Sequence, residues 1–261
     1  MKKLFFVPFI CFITLTSFAP EHMPNGDEKK FPSLLPSVSD ESPLVSKWVD
    51  SAYSQLKLDS LGLQKNVFFY ACKGYQFMLS KNALHKPQLL TICDYSQPSN
   101  SKRLYVIDLK EGKVLYNTYV SHGKNSGAIY ATSFSNKPES HKSSLGFMIT
   151  GETYNGKNGY SLHFDGIEPG INDKVRSRDI VMHGSNYVNA QRADEGTSMG
   201  RSYGCPAISY NEHKIIIDAI KGGSCFFIYA NDKWYASSSR VLNARFDWQL
   251  SASLDVTAVN N

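Results

Sequence analysis

Apolar residues fall into three textures along the chain. Behind Lys2 and Lys3, residues 4–18 run almost without a polar break. A basic start followed by an apolar run of ~7–15 residues predicts a secretory signal, and the run is short of the ~20 residues that span a bilayer. Residues 1–19 are therefore read as a signal peptide or an N-terminal anchor. Ser17-Phe18-Ala19 resembles a cleavage site, although Pro20 sits awkwardly after it. Residues 20–42 are polar, carry Pro24, Pro32 and Pro36, and predict a linker. Helical spacing comes next. Leu44, Trp48, Ala52 and Leu56 predict a helix over 43–62, and Val67, Ala71 and Tyr75 predict one over 64–79. Together they form a helical lead over 43–88, packing on the body.

Beyond residue 88 the texture is that of short strands. Candidates lie at 89–92, 103–109, 114–121, 145–150, 161–164, 180–183, 207–209 and 224–230. Gly112 supplies a hairpin turn between the second and third. One helix interrupts them at 211–220 and is stopped by Gly222-Gly223. The expected fold is mostly β with flanking helices, a β-sandwich or barrel over 89–232. Residues 233–261 form a polar tail in which Trp234, Phe246 and Trp248 still ask for packing.

Composition narrows the functional classes. A chain of 261 residues with 20% charged and 13% aromatic residues can bury a core without disulfide staples. A net charge of +5 is too small and too dispersed to predict nucleic-acid binding. No stretch after residue 19 is long and apolar enough to span a bilayer, so the body is expected to be soluble outside the cytoplasm.

Candidate chemistry concentrates between residues 180 and 205. The β-branched run Ile180-Val181-Met182 ends at His183-Gly184, and a polar loop leads to Gly200-Arg201-Ser202-Tyr203-Gly204-Cys205-Pro206. A cysteine in a glycine turn has free amides beside it, which lower a thiol pKa and can hold an oxyanion. A histidine on a strand end suits a general base. A Cys/His pair distant in sequence fits a thiol nucleophile.

These residues resemble the active site of the L,D-transpeptidase catalytic-domain family, the YkuD type, of bacterial cell walls. That family carries His-Gly, a spacer, and then Ser/Thr-His-Gly-Cys. Here the pieces are His183-Gly184 and Ser202-Tyr203-Gly204-Cys205, with an aromatic in place of the second histidine, as in one branch found in envelope proteins. Ser121-His122-Gly123-Lys124-Asn125-Ser126-Gly127, Thr132-Ser133-Phe134 and Ser144-Leu145-Gly146-Phe147 agree, and the likeness covers about residues 64–232. The resemblance implies a β-sandwich or barrel of the L,D-transpeptidase type. It also implies no cofactor or metal, a location in the bacterial envelope, in the periplasm, and peptidoglycan stem peptides as partners.

The resemblance further implies Cys205 as nucleophile, His183 as base, and the Gly184 carbonyl orienting the imidazole. The amides of Tyr203, Gly204 and Cys205 are then the oxyanion hole, and Arg178, Arg201, Ser202 and His163 the candidates for substrate binding. Cys205 would take the acyl group of a stem tetrapeptide, release its terminal D-amino acid and pass the acyl group to an acceptor amine. Carbapenems would acylate the same thiol. L,D-carboxypeptidase trimming and a catalytically silent wall-binding module stay open as alternatives. So do a thiol protease acting on L,L-peptides and a zinc peptidase using His122, His141, His163, His183 and Cys205. Of the five cysteines, Cys11 lies in the export segment, Cys225 reads as a buried thiol, and Cys72 with Cys93 is a candidate disulfide.

Overall fold

The computed structural model describes residues 41–199 and 201–250. The export segment with Cys11, nearly all of the linker and the last residues of the tail lie outside them. The first helix, α1 (Pro43–Gln55), starts where Ser42 accepts a hydrogen bond from the Val45 amide with Pro43 in the first turn. It ends about two turns earlier than its periodicity predicts. Lys57 takes a left-handed conformation (φ 52°), and the Leu58 amide turns back to the Tyr53 carbonyl. The second helix, α2 (Lys65–Ser80), is buried on nearly every face. One side meets the sheet and the other meets the C-terminal segment, where Trp248 stacks on Phe69 at 6.1 Å and packs edge-on against Trp48. The described part of the tail thus folds back onto the helical lead. Phe246 joins it against Phe77, whereas Trp234 stays exposed.

Eight strands complete the body: β1 (Leu89–Asp94), β2 (Lys102–Asp108), β3 (Lys113–Tyr119), β4 (Gly146–Gly156), β5 (Gly159–Gly166), β6 (Val181–Ser185), β7 (Ala207–Ser209) and β8 (Cys225–Tyr229). They form one sheet in the order β3-β2-β1-β8-β4-β5-β6-β7. The pairs β1–β8 and β6–β7 are parallel and the rest antiparallel. The two edges approach each other just past β3, where the Ser121 amide donates to the Ala207 carbonyl at 2.8 Å. The sheet is therefore a nearly closed barrel, which leaves little free strand edge.

Local chemistry explains individual elements. The Asp108 carboxylate accepts the amides of Lys110 and Glu111, and Gly112 at φ 59° completes the β2–β3 turn. The β4–β5 hairpin runs six residues further along β4 than its apolar core suggests, because Gly156 and Gly159 pair across a tight turn. Three further helices belong to the fold: α3 (Ala190–Asp194), α4 (His213–Ile220) and α5 (Lys233–Ser238). Two left-handed glycines, Gly222 and Gly223, stop α4.

The core lies between α2 and the sheet. Phe147 and Phe227 stack at 4.1 Å, and Phe164 packs on Phe226. Gly74 lets α2 close on Phe147, since a Cβ there would stand 2.0 Å from the ring. Cys72 and Cys93 are free thiols, so the candidate disulfide is absent. Cys72 faces Cys225, while Cys93 lies with Tyr95 and Arg103. Cys225 is buried with its sulfur against Met78.

Candidate active site

Strand β6 brings the catalytic candidates together. His183 pairs with Ser161 of β5 on one side and Ala207 of β7 on the other, two residues past Cys205. His163 opposes Val181, so His163, Ser161 and His183 share one face of the sheet, while Leu162 and Met182 fill the core behind it.

The Cys205 thiol is 8% exposed. Its sulfur accepts the Val181 amide at 3.5 Å and its S–H donates to the Asp179 carbonyl at 3.5 Å. Asp179 aims that carbonyl from a left-handed conformation (φ 52°), which Asp tolerates better than most residues. The sequence reading expects neighbouring amides to lower this thiol. The structure reverses the balance: burial raises it, and the Val181 amide and Arg178 charge recover only part.

His183 is buried, and its Nδ1 lies 2.9 Å from the Gly184 carbonyl. A carbonyl only accepts, so Nδ1 carries the proton and Nε2 is left as an acceptor. Burial lowers the His183 pKa, and the nearby His213 lowers it further against the Gly184 bond. The resting pair is therefore neutral thiol and neutral imidazole. Gly184 must be glycine here, because a Cβ would meet Tyr210 at 2.6 Å and His213 at 2.8 Å.

The turn before Cys205 is tied down from two directions. The Ser202 hydroxyl donates to the Cys205 carbonyl at 2.6 Å and accepts the Gly204 amide at 3.2 Å. Gly123 pairs with Ser202, whose amide donates to the His122 carbonyl. Gly204 stands at φ 121°, and a Cβ there would be 2.8 Å from the Lys142 carbonyl.

This geometry changes three of the sequence-derived roles. The Gly204 amide is engaged by Ser202, so the candidate oxyanion donors reduce to the Tyr203 and Cys205 amides, which have no partner among the described residues. Ser202 is an organiser of the turn, buried and committed at both ends of its hydroxyl. Arg178 gives its fork to the loop 135–144, donating to Ser135, Ser140, Lys142 and Ser144. It acts on Cys205 by position and charge.

The remaining candidates keep an open side. His163 stacks on Tyr154 at 4.3 Å, with Nε2 4.0 Å from Glu152. Arg201 is exposed and donates to the Gly127 carbonyl at 3.3 Å. Tyr203 is 66% exposed and lies between the His141 ring, at 4.4 Å, and the Lys124 ammonium, at 4.1 Å.

Several site residues had no local signal in the sequence. Tyr154 and Tyr187 lie near Cys205, and burial raises the pKa of both hydroxyls. His213, Val181 and Asp179 reach the site only through strand pairing and loop geometry. The zinc-peptidase ligands are dispersed. His122 is engaged by Arg103 at 2.9 Å and by Gly127, His141 stacks on Tyr203, and no group of three His, Cys, Asp or Glu residues forms a metal cluster among the described residues.

Comparison with known proteins gives the chain's family. A family model described as the L,D-transpeptidase catalytic domain matches residues 59–229. Among solved structures, an L,D-transpeptidase from Mycobacterium smegmatis aligns at 13% identity over 55% of this chain and 59% of its own, with a TM-score of 0.33. The helical cell shape determining protein Pgp2 from Campylobacter jejuni aligns at 16% identity over 62% and 59%, with a TM-score of 0.33. An L,D-transpeptidase from Stackebrandtia nassauensis aligns at 14% identity over 70% and 91%, also at 0.33. This chain thus spans about 59% of the length of the mycobacterial and Campylobacter structures. No curated protein matches it. Because the family model covers well over half of the chain, this protein belongs to the L,D-transpeptidase catalytic-domain family.

Proposed function

We propose that the protein is an exported cell-wall L,D-transpeptidase that works through a Cys205 thioester in the bacterial periplasm. One observation carries the reading: a buried thiol held in a two-sided backbone cradle comes two residues before Ala207, the β7 partner of a neutral histidine whose Nδ1 is engaged by the Gly184 carbonyl. That pair is silent at rest. Neither group is charged, so no thiolate is exposed to oxidants.

Substrate binding displaces the S–H from the Asp179 carbonyl, and His183 Nε2 takes the proton. The sulfur attacks the carbonyl preceding the terminal D-amino acid of a stem tetrapeptide. The oxyanion forms against the free Tyr203 and Cys205 amides. Loss of one such donor typically costs ~2.7–4 kcal/mol of barrier. Collapse breaks the peptide bond, and His183 gives its proton to the departing amine. An acceptor amine then attacks the thioester, passes a proton to His183 and restores the thiol. Gly184 keeps the imidazole in register through both halves.

The test is incubation of the purified protein with tetrapeptide muropeptides, followed by mass analysis. The expected result is release of D-alanine and a cross-linked dimer, both abolished by Cys205→Ala. Trimming without dimers, even with excess acceptor amine, would replace transpeptidation by L,D-carboxypeptidase action. Undiminished release in Cys205→Ala would overturn the thioester mechanism.

A further inference from the structure

Lys124, Arg192 and Arg201 line one open cavity of about 470 Å³, completed by Ala128 and Ser198. The three come from separate parts of the chain, and among the described residues no carboxylate lines the cavity with them. Among the described residues the partners of each cation are neutral groups. Arg192 donates Nε and Nη2 to the Ser198 carbonyl at 3.2 and 2.9 Å. Arg201 donates Nη1 to the Gly127 carbonyl at 3.3 Å. Lys124 lies over the Tyr203 ring. Among the described residues none of the three forms an ion pair. Three like charges gathered on neutral walls repel one another and create a positive potential that an anion relieves. The forks of two arginines suit a carboxylate.

The cavity is joined to the nucleophile through its walls. The Lys124 amide donates to the Ser202 carbonyl at 2.7 Å, and Arg201 immediately precedes Ser202. The Ser202 hydroxyl in turn holds the Cys205 carbonyl. An anion seated among the three cations therefore sits on the same turn that presents the thiol.

We propose that this cavity binds a non-reacting carboxylate of the stem peptide. It anchors the substrate at a distance from the scissile carbonyl and supplies binding that is the same in the ground state and the transition state. Lys124 and Arg192 thereby join Arg201 as specificity-determining residues. The inference rests on the stem-peptide reading of the active site.

The experiment has two halves. In the Cys205→Ala background, calorimetry measures the Kd of a tetrapeptide muropeptide with free carboxylates and of its fully amidated counterpart, against Arg201→Gln, Arg192→Gln and Lys124→Gln. With the thiol intact, D-alanine release gives KM and kcat for the same three variants. Each substitution is expected to weaken the free-carboxylate ligand about tenfold, in line with lost hydrogen bonds to charged groups, and to raise KM with little change in kcat. The amidated ligand should be nearly indifferent to all three, and 0.5 M salt should erase most of the difference. Equal affinities across variants, or equal losses for both ligands, would overturn the proposal. So would inorganic phosphate binding as tightly as the muropeptide and losing that affinity in the variants, since it would assign the cavity to phosphate. Release of D-alanine with KM indifferent to the three cations rejects the cavity alone. A carboxylate-dependent Kd without any release rejects the transpeptidase reading and leaves the cavity standing.

Discussion

Acidification from pH 7 to pH 5 should cost this protein about 2 kcal/mol of stability through His122 alone. The His122 ring is buried, its Nδ1 accepts from Arg103 Nη2 at 2.9 Å and its Nε2–H donates to the Gly127 carbonyl at 3.3 Å. Burial first, and the Arg103 charge second, push its pKa down to about 4 from 6.5. A proton on Nδ1 would break the bond to the guanidinium and set two cations against each other. The unfolded chain has no such penalty, so between these values it binds more protons than the native state. Stability is therefore fully present above about pH 6.5 and is lost as pH falls toward 4. The full difference is about 3 kcal/mol, at ~1.36 kcal/mol per pKa unit, and most of it is gone by pH 5.

The assay is denaturant unfolding of wild type and His122→Asn across pH 7.5 to 4.5. Asparagine keeps an acceptor close to the Nδ1 position but does not titrate. It loses the ring contact with Tyr95, so the variant should be less stable by ~1–3 kcal/mol at pH 7.5. The gap should close by about 2 kcal/mol at pH 5. Parallel curves, or an NMR titration of His122 centred near 6.5, would refute the reasoning. The effect reaches the active site, because the His122 carbonyl accepts the Ser202 amide of the nucleophile turn.

Three other outcomes are expected. Gly74→Ala should lower stability by ~1–3 kcal/mol despite a helix-propensity gain near 1 kcal/mol, because its Cβ would overlap the Phe147 ring, and an unchanged or higher Tm would contradict that packing. Gly204→Ala pairs a φ of 121° with a close Lys142 carbonyl. It should cost ~1–3 kcal/mol of strain and most acylation of Cys205, read by intact mass with a β-lactam, and normal acylation would place the turn's rigidity elsewhere. Burial and then His213 lower the base His183, so the acidic limb of kcat/KM should lie below pH 6.5 and move up in His213→Ala. A limb that does not move would remove His213 from the base's environment.

Much of the site was legible in local sequence. His183-Gly184 and Ser202-Tyr203-Gly204-Cys205 are contiguous motifs whose residue types carry their own chemistry. The fate of individual side chains was not. Arg178 and Arg201 look alike as arginines flanking a motif, yet one is consumed by the loop 135–144 and the other opens onto a cavity. The direction of the Cys205 shift is hidden from the sequence for a similar reason. Neighbouring amides are visible in a glycine turn, whereas burial depends on elements far away in the chain.

The sequence by itself determined the features that short-range periodicity and turn chemistry dictate. These are α2, the β2–β3 hairpin with its Asp108 and Gly112 turn, the stop after α4, and the mostly β character of the body. Tertiary structure decided which strands pair. The parallel contacts β1–β8 and β6–β7 join segments with no local link between them, and the second of these sets His183 beside the nucleophile turn. It also decided that Cys72 and Cys93 stay apart and that Lys124, Arg192 and Arg201 meet in one cavity. Hydrophobic spacing encodes which face of an element is buried. The partner that face meets depends on closing long loops around a shared core, and the site inherits its electrostatics from that closure.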